Sequence, residues 1–413
     1  MINIFVTMLK KIIFFFFSIF VSFLNAQNIK TIQLRPLQEN NFSSIVPLGT
    51  VLELSFDDLD ADSKNYQYKI EHMTHDWQKS RLLSSQYING FDQNTIIDVT
   101  NSFNTLQSYT HYSVKIPNTN TIITKSGNYL LSVLDAHDDV VFTRRFVLYE
   151  NASTVGVSVI RSRNTKTLNT QQTIQFSVNH PNIQINSPSQ EINVTIIKNN
   201  NWNETITDLQ PTFFRPNQLL YTYTNKTNFW GGNEYLNFDT KILRNRSVNI
   251  VRIMKENNLF NLTIYPFTYN PFREYTYNPD INGQFIIRTL EGNVANTEAD
   301  YAKMDFILEA EQPFKDKEVY VYGAFNNFEI SEENKMHYNP ENKTYTTSIL
   351  LKQGFYNYTF VTLDDNNIIN TNEINGSFFE TENEYNVIVY FKPFGGLYDR
   401  VIGVGLGFFN QNN

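Results

Sequence analysis

The stretch NFWGGNEYLNFD (Asn228–Asp239) sets two adjacent glycines between aromatic side chains and one carboxylate. Gly231 and Gly232 permit positive φ, and Asn233 tolerates it, so the backbone can turn tightly here. Trp230 and Tyr235 flank the turn. With the polar Glu234 beside them they have the composition of a recognition spot. Three readings are open: a catalytic loop, a sugar-stacking platform, or a hairpin turn clamped by aromatics.

Other chemistry-bearing residues are scattered. His72 and His75 in EHMTHDW end an expected strand, where positions i and i+3 face opposite sides, so they do not converge on a metal. The acid-rich DDLDADSKN (Asp57–Asn65) offers Asp57, Asp58, Asp60 and Asp62, but it lacks the glycine and closing glutamate of a calcium loop and reads as a solvated turn. Nucleophile-elbow, phosphate-loop and H-E-x-x-H motifs are absent, and no pair of carboxylates is marked for glycoside hydrolysis. No catalytic, cofactor or metal residue is therefore expected. VYVYGAFNNFEI (Val319–Ile330) and LLKQGFYNYTFV (Leu350–Val361) look like the starch- and glycogen-binding sandwich modules. Those modules stack sugars on exposed Trp, and Phe328 stands where the pattern has Trp. A sugar platform needs coplanar exposed rings, whereas a core role buries Phe325 and Phe328.

The elements around these residues are β-strands. The chain of 413 residues is 15% aromatic, with 34 Phe and 24 Tyr, and side chains of this kind suit pleated, half-buried surfaces. Period-two patterns over Val51–Phe56, Asn65–His72, Tyr129–Leu134 and Val140–Tyr149 recur between turns. They suggest an all-β chain of tandem immunoglobulin-like sandwiches, the last of the starch-binding (early-set) type. The expected domains are 27–150, a middle β domain 151–293 carrying the GGNE motif, and a C-terminal sandwich 300–413.

Lys10-Lys11, the apolar run Ile12–Leu24 and Ala26 read as a cleavable secretory signal, residues 1–26. Its removal would deepen the net charge from −8 to −10, which disfavours nucleic acid and anionic membrane surfaces. No later run suggests direct membrane insertion. With no cysteine, thiol catalysis and a disulfide scaffold are excluded.

Pieces spread over most of the chain then acquire a common meaning. Among them are YKIEHMTHDWQKSRLLSSQYINGF (Tyr68–Phe91), TRRFVLYE (Thr143–Glu150), FWGGNEYLNFDTKILR (Phe229–Arg244), DINGQFIIR (Asp280–Arg288) and GSFFETENEYNVIVYFKPFGGLYDRVIG (Gly376–Gly403). In order and spacing they resemble the plug protein family of the type IX secretion system of Bacteroidetes-type bacteria. The resemblance implies a non-enzymatic periplasmic protein, peripheral to the outer membrane, that closes an outer-membrane translocon barrel. That barrel would be its partner, with no small-molecule ligand. The rival is a periplasmic or surface glycan-binding protein. Candidate contact residues are Trp230, Gly231, Gly232, Asn233, Glu234 and Tyr235, with Phe394, Tyr398 and Arg400 of FGGLYDR.

Overall fold

In the computed structural model, residues 28–38 and 40–409 are described; the expected signal, residues 1–26, lies outside them. The described chain is nearly all β. Along Leu52–Asp58, Gln67–Met73 and Thr110–Ile116 alternate side chains are buried, as strands with one face on a core require. A four-stranded sheet runs Ile29–Pro36, Leu52–Asp58, Thr110–Ile116, Asp98–Asn101. A five-stranded sheet packs on it in the order Ile45–Pro47, Val140–Tyr149, Gly127–Leu134, Gln67–Met73, Gln93–Thr95. In the core between them Phe56 stacks on Tyr112 at 5.1 Å between ring centroids, and Tyr129 on Phe146 at 5.2 Å.

The second sandwich is not contiguous in sequence. One of its sheets contains Thr154–Arg161, Gln171–Asn179 and Gln218–Tyr221, with Asn228–Trp230 also paired to Gln171–Asn179. The facing sheet runs Asn201–Ile206, Ile192–Lys198, Glu384–Phe391, Arg400–Phe408. Ile192 pairs with Phe391 and Lys198 with Tyr385, so the last two strands complete the middle sandwich. Their side chains Tyr385, Val387 and Ile402 share a core with Ile174 and Phe176. The sequence boundaries 151–293 and 300–413 are corrected accordingly. Periodicity identifies a strand but not its partner, and this pairing spans about half the chain. Alternate glycines fit the final strand into place: a Cβ on Gly405 would stand 2.7 Å from the Val155 carbonyl oxygen, and one on Gly407 2.5 Å from Val157 Cγ1. Strand Thr154–Arg161 can therefore lie close against it.

Between Trp230 and the return to Glu384 a third sandwich is inserted. Its single sheet runs Leu236–Asp239, Gly354–Asp364, Lys317–Tyr322, Lys335–Asn339, Thr344–Lys352, Tyr301–Glu309, Leu259–Ile264, Ile250–Glu256. The sheet folds back on itself, so Phe238 of the first strand meets Phe306 of the sixth at 5.8 Å. Strand Gly354–Asp364 is buried along most of its length.

Polar contacts join the sandwiches pairwise. Lys352 of the third is buried and lies 2.6 Å from Asp57 of the first, which also accepts hydrogen bonds from Tyr301 Oη (2.7 Å) and His111 Nδ1 (2.6 Å). Asn203 of the second donates to Tyr322 Oη at 3.0 Å and to the Phe328 carbonyl at 2.6 Å. Tyr390 of the second donates to Asn128 Oδ1 of the first at 3.0 Å. The acidic stretch is thus only partly a solvated turn. Asp57 and Asp58 end a strand, fully buried, because Asp57 meets the distant Lys352, Tyr301 and His111 while Asp58 is held by the nearby Lys64 and Tyr66.

Candidate interaction surface

The GGNE motif is the outgoing crossover from the second sandwich to the third, laced to the returning crossover. The Gly231 N–H donates to the Thr170 carbonyl at 2.9 Å, and its own carbonyl accepts from Asn383 Nδ2 at 2.8 Å. The Gly232 carbonyl accepts from the Phe378 N–H and Thr381 Oγ1, both at 2.8 Å. Gly232 has φ +69°, and a Cβ on Gly231 would sit 1.9 Å from the Phe378 carbonyl oxygen. Only glycine allows two backbones to approach this closely. Asn233 Nδ2 extends the lacing to the Asn375 carbonyl at 2.9 Å.

Glu234 is buried, accepting from Tyr275 Oη at 2.6 Å and the Glu382 N–H at 3.2 Å, while its Oε2 has no hydrogen-bond partner. Burial pushes its carboxyl above the usual range. The Tyr235 N–H donates to Asp280, and the Tyr235 ring packs beside Tyr322 and Phe328. Burial, with the nearby Glu234 and Glu382 carboxylates, pushes Asp280 up to about 7, although the N–H groups of Asn282 and Tyr235 pull the other way. Trp230 alone of the motif's aromatics is substantially outward, 47% exposed. Of the opening alternatives the turn remains, but it is not a hairpin clamped by both aromatics: the strands on its two sides pair into different sheets, and Trp230 faces outward. The turn's acids close a junction that holds two sandwiches together.

The second candidate stretch divides similarly. Phe394 is 98% exposed and Leu397 is also outward. Tyr398 turns inward, 5.5 Å from the His72 ring, with Lys125 over its face at 5.3 Å. Buried Asp399 accepts from the His75 N–H at 3.1 Å, and Arg400 forms an ion pair with Glu150. Tyr398 and Arg400 thus join the first and second sandwiches, carrying Phe394 at the loop tip.

His72 is buried and pushed down to about 4 by desolvation, with Ser126 as its polar neighbour. Among the described residues one carboxylate trio has metal-like convergence, Asp58, Asp60 and Asp62. The Lys64 ammonium stands among them, 2.9 Å from Asp58 and 3.5 Å from Asp62, and contacts Asp60 as well. A side-chain cation already occupies the place where a metal would go. Phe328 is buried and Phe325 packs edge-on to Tyr356, so neither ring offers a sugar platform. Sequence reasoning missed Asp280, Phe378 and Asn383, the groups that complete the GGNE junction. Only the quoted fragments DINGQFIIR and GSFFETENEYN hinted at them.

Residues 29–150, which coincide with the first sandwich, match the type 9 secretion system plug protein first domain. This first sandwich belongs to the type IX secretion system plug protein family. The fold of the chain is shared over nearly the whole length by a crystal structure of a hypothetical protein from Parabacteroides merdae. The two are 32% identical with a TM-score of 0.89, covering 93% of this chain and 98% of the other. No curated protein matches the sequence. The plug family is a structural secretion component rather than a known enzyme family, which supports a role in type IX secretion and a periplasmic or envelope location. Among the described residues no helix is long and apolar enough to cross a membrane.

Proposed function

We propose that the protein is a non-enzymatic plug that binds and seals the outer-membrane translocon barrel of the type IX secretion system. The observation that carries this reading is the family match over one complete sandwich, residues 29–150. The pairwise joining of all three sandwiches supports it, because a cover for a wide opening must be broad and resist bending. Trp230 and Phe394, exposed on segments anchored by the junctions behind them, are the proposed contacts. Aromatics held in place lose little conformational entropy on binding. The interface is expected to be moderately polar, so that substrate or another subunit can displace the plug.

The test is affinity purification of the tagged protein from detergent-solubilised outer membranes, followed by mass spectrometry. A very large barrel protein should be recovered in near-stoichiometric amount, and a Trp230→Ala/Phe394→Ala variant with an unchanged melting profile should recover at least tenfold less. Recovery of the plug alone, or with glycan-uptake components, would overturn the reading.

A further inference from the structure

A cleft of about 320 Å³ opens where the three sandwiches meet. Three arginines of the first sandwich, Arg35, Arg144 and Arg145, line it, with Trp202 of the second and Glu329 of the third. None of the three forms an ion pair with a carboxylate among the described residues, although the chain carries a net charge of −8. Two carboxylates act on them at longer range. Glu53 is the register partner of Arg35, and Glu329 influences Arg144. Three guanidinium groups therefore face two acids.

Their positions are supported. The Arg145 guanidinium lies 4.6 Å from the Trp77 ring and 5.9 Å from Trp202, and these two indoles meet edge-on at 4.8 Å. Arg144 donates to the Thr143 carbonyl at 2.7 Å and lies over Phe142 at 5.5 Å. Burial lowers Arg144 to about 10 and draws Arg35 and Arg145 below the usual arginine range. A bound anion would restore what desolvation removes.

The cleft also meets a free sheet edge. Among the described residues, Ile29–Pro36 is the terminal strand of its sheet and pairs only with Leu52–Asp58. The cleft is lined by four consecutive residues, Ile32 to Arg35. One face of a strand contributes every second residue, so four in a row mean that the cleft approaches the strand along its edge. Backbone groups on such an edge can accept an added strand.

We propose that this cleft binds an extended acidic peptide segment of a partner protein, which pairs with the edge at Ile32–Arg35 and sets its carboxylates against Arg35, Arg144 and Arg145. The proposal does not depend on barrel sealing, and its test needs no barrel.

The purified full chain is titrated into fluorescein-labelled Val-Glu-Val-Asp-Val-Glu, its backbone N-methylated form, and Val-Lys-Val-Lys-Val-Lys, read by anisotropy. The acidic peptide should bind at least tenfold tighter than the basic one, and its affinity should fall as sodium chloride rises. R144Q/R145Q, with an unchanged circular dichroism spectrum, should weaken it at least tenfold, as should N-methylation. If that double variant misfolds, single R35Q should weaken binding and E329Q should tighten it. Equal binding of the basic peptide, or no effect of the arginine variants, would overturn the proposal. Inorganic phosphate or acetate displacing the peptide at equal concentration would reduce the cleft to a simple anion site and overturn the peptide reading. An unaffected N-methylated peptide would overturn the edge pairing.

Discussion

Replacing Asp280 with asparagine probes the electrostatics of the GGNE junction. The Asp280 carboxyl titrates near 7 in the folded chain, chiefly because of burial, against about 3.9 for an aspartate in an unfolded chain. The folded state thus holds its proton more tightly. The carboxyl is neutral in both states below about pH 4, and it destabilises the fold progressively as pH rises from about 4 to 7. Three pKa units at about 1.36 kcal/mol each set a ceiling of about 4 kcal/mol. Partial contact with solvent halves this to about 2 kcal/mol. Asparagine can still accept from the Asn282 N–H, now 2.7 Å from Oδ1, but loses the acceptor facing the Tyr235 N–H, at a cost of about 1 kcal/mol. D280N should therefore be about 1 kcal/mol less stable than the wild type at pH 4.5 and about 1 kcal/mol more stable at pH 8. Urea unfolding of both proteins at the two pH values measures this difference directly. A stability difference that stays constant within about 0.5 kcal/mol across that range would refute the assignment of a protonated, buried carboxyl.

Two further substitutions test the junctions. Gly231→Ala places a Cβ where the Phe378 carbonyl already stands, so the crossovers must separate. The expected loss is about 2–4 kcal/mol in chemical denaturation, from overpacking together with weakened lacing bonds; a loss under about 0.5 kcal/mol would mean the crossovers are free to part. Lys352→Met removes the cation from buried Asp57 and should cost about 3 kcal/mol, because the carboxylate keeps only its Tyr301 and His111 donors. Restoring stability by adding Asp57→Asn to that variant would support the pairing, and additive losses would count against it.

The sequence alone carried the secondary structure and the class. Val140–Tyr149 was legible to the residue from its turn-bounded β-branched and aromatic run, and strands such as Gln67–Met73 to within about two residues, because a half-buried strand writes its own period of two. The glycines of GGNE likewise announced a turn, since few other residues adopt positive φ. The family resemblance was legible in fragments of the first sandwich such as YKIEHMTHDWQKSRLLSSQYINGF and TRRFVLYE. Tertiary structure decided the partners. Nothing local in Glu384–Phe391 states that it pairs with Ile192–Lys198, nearly two hundred residues earlier. Nor does the local sequence show that Asp57 will meet Lys352 in a dry interface. Burial also divided the candidate residues: Glu234 and Tyr235 close a junction, while Trp230 and Phe394 face outward. The physical reason is the same in each case. Local pattern is set by neighbours in the chain, whereas desolvation, ion pairing and strand partnership are set by whatever the fold brings alongside.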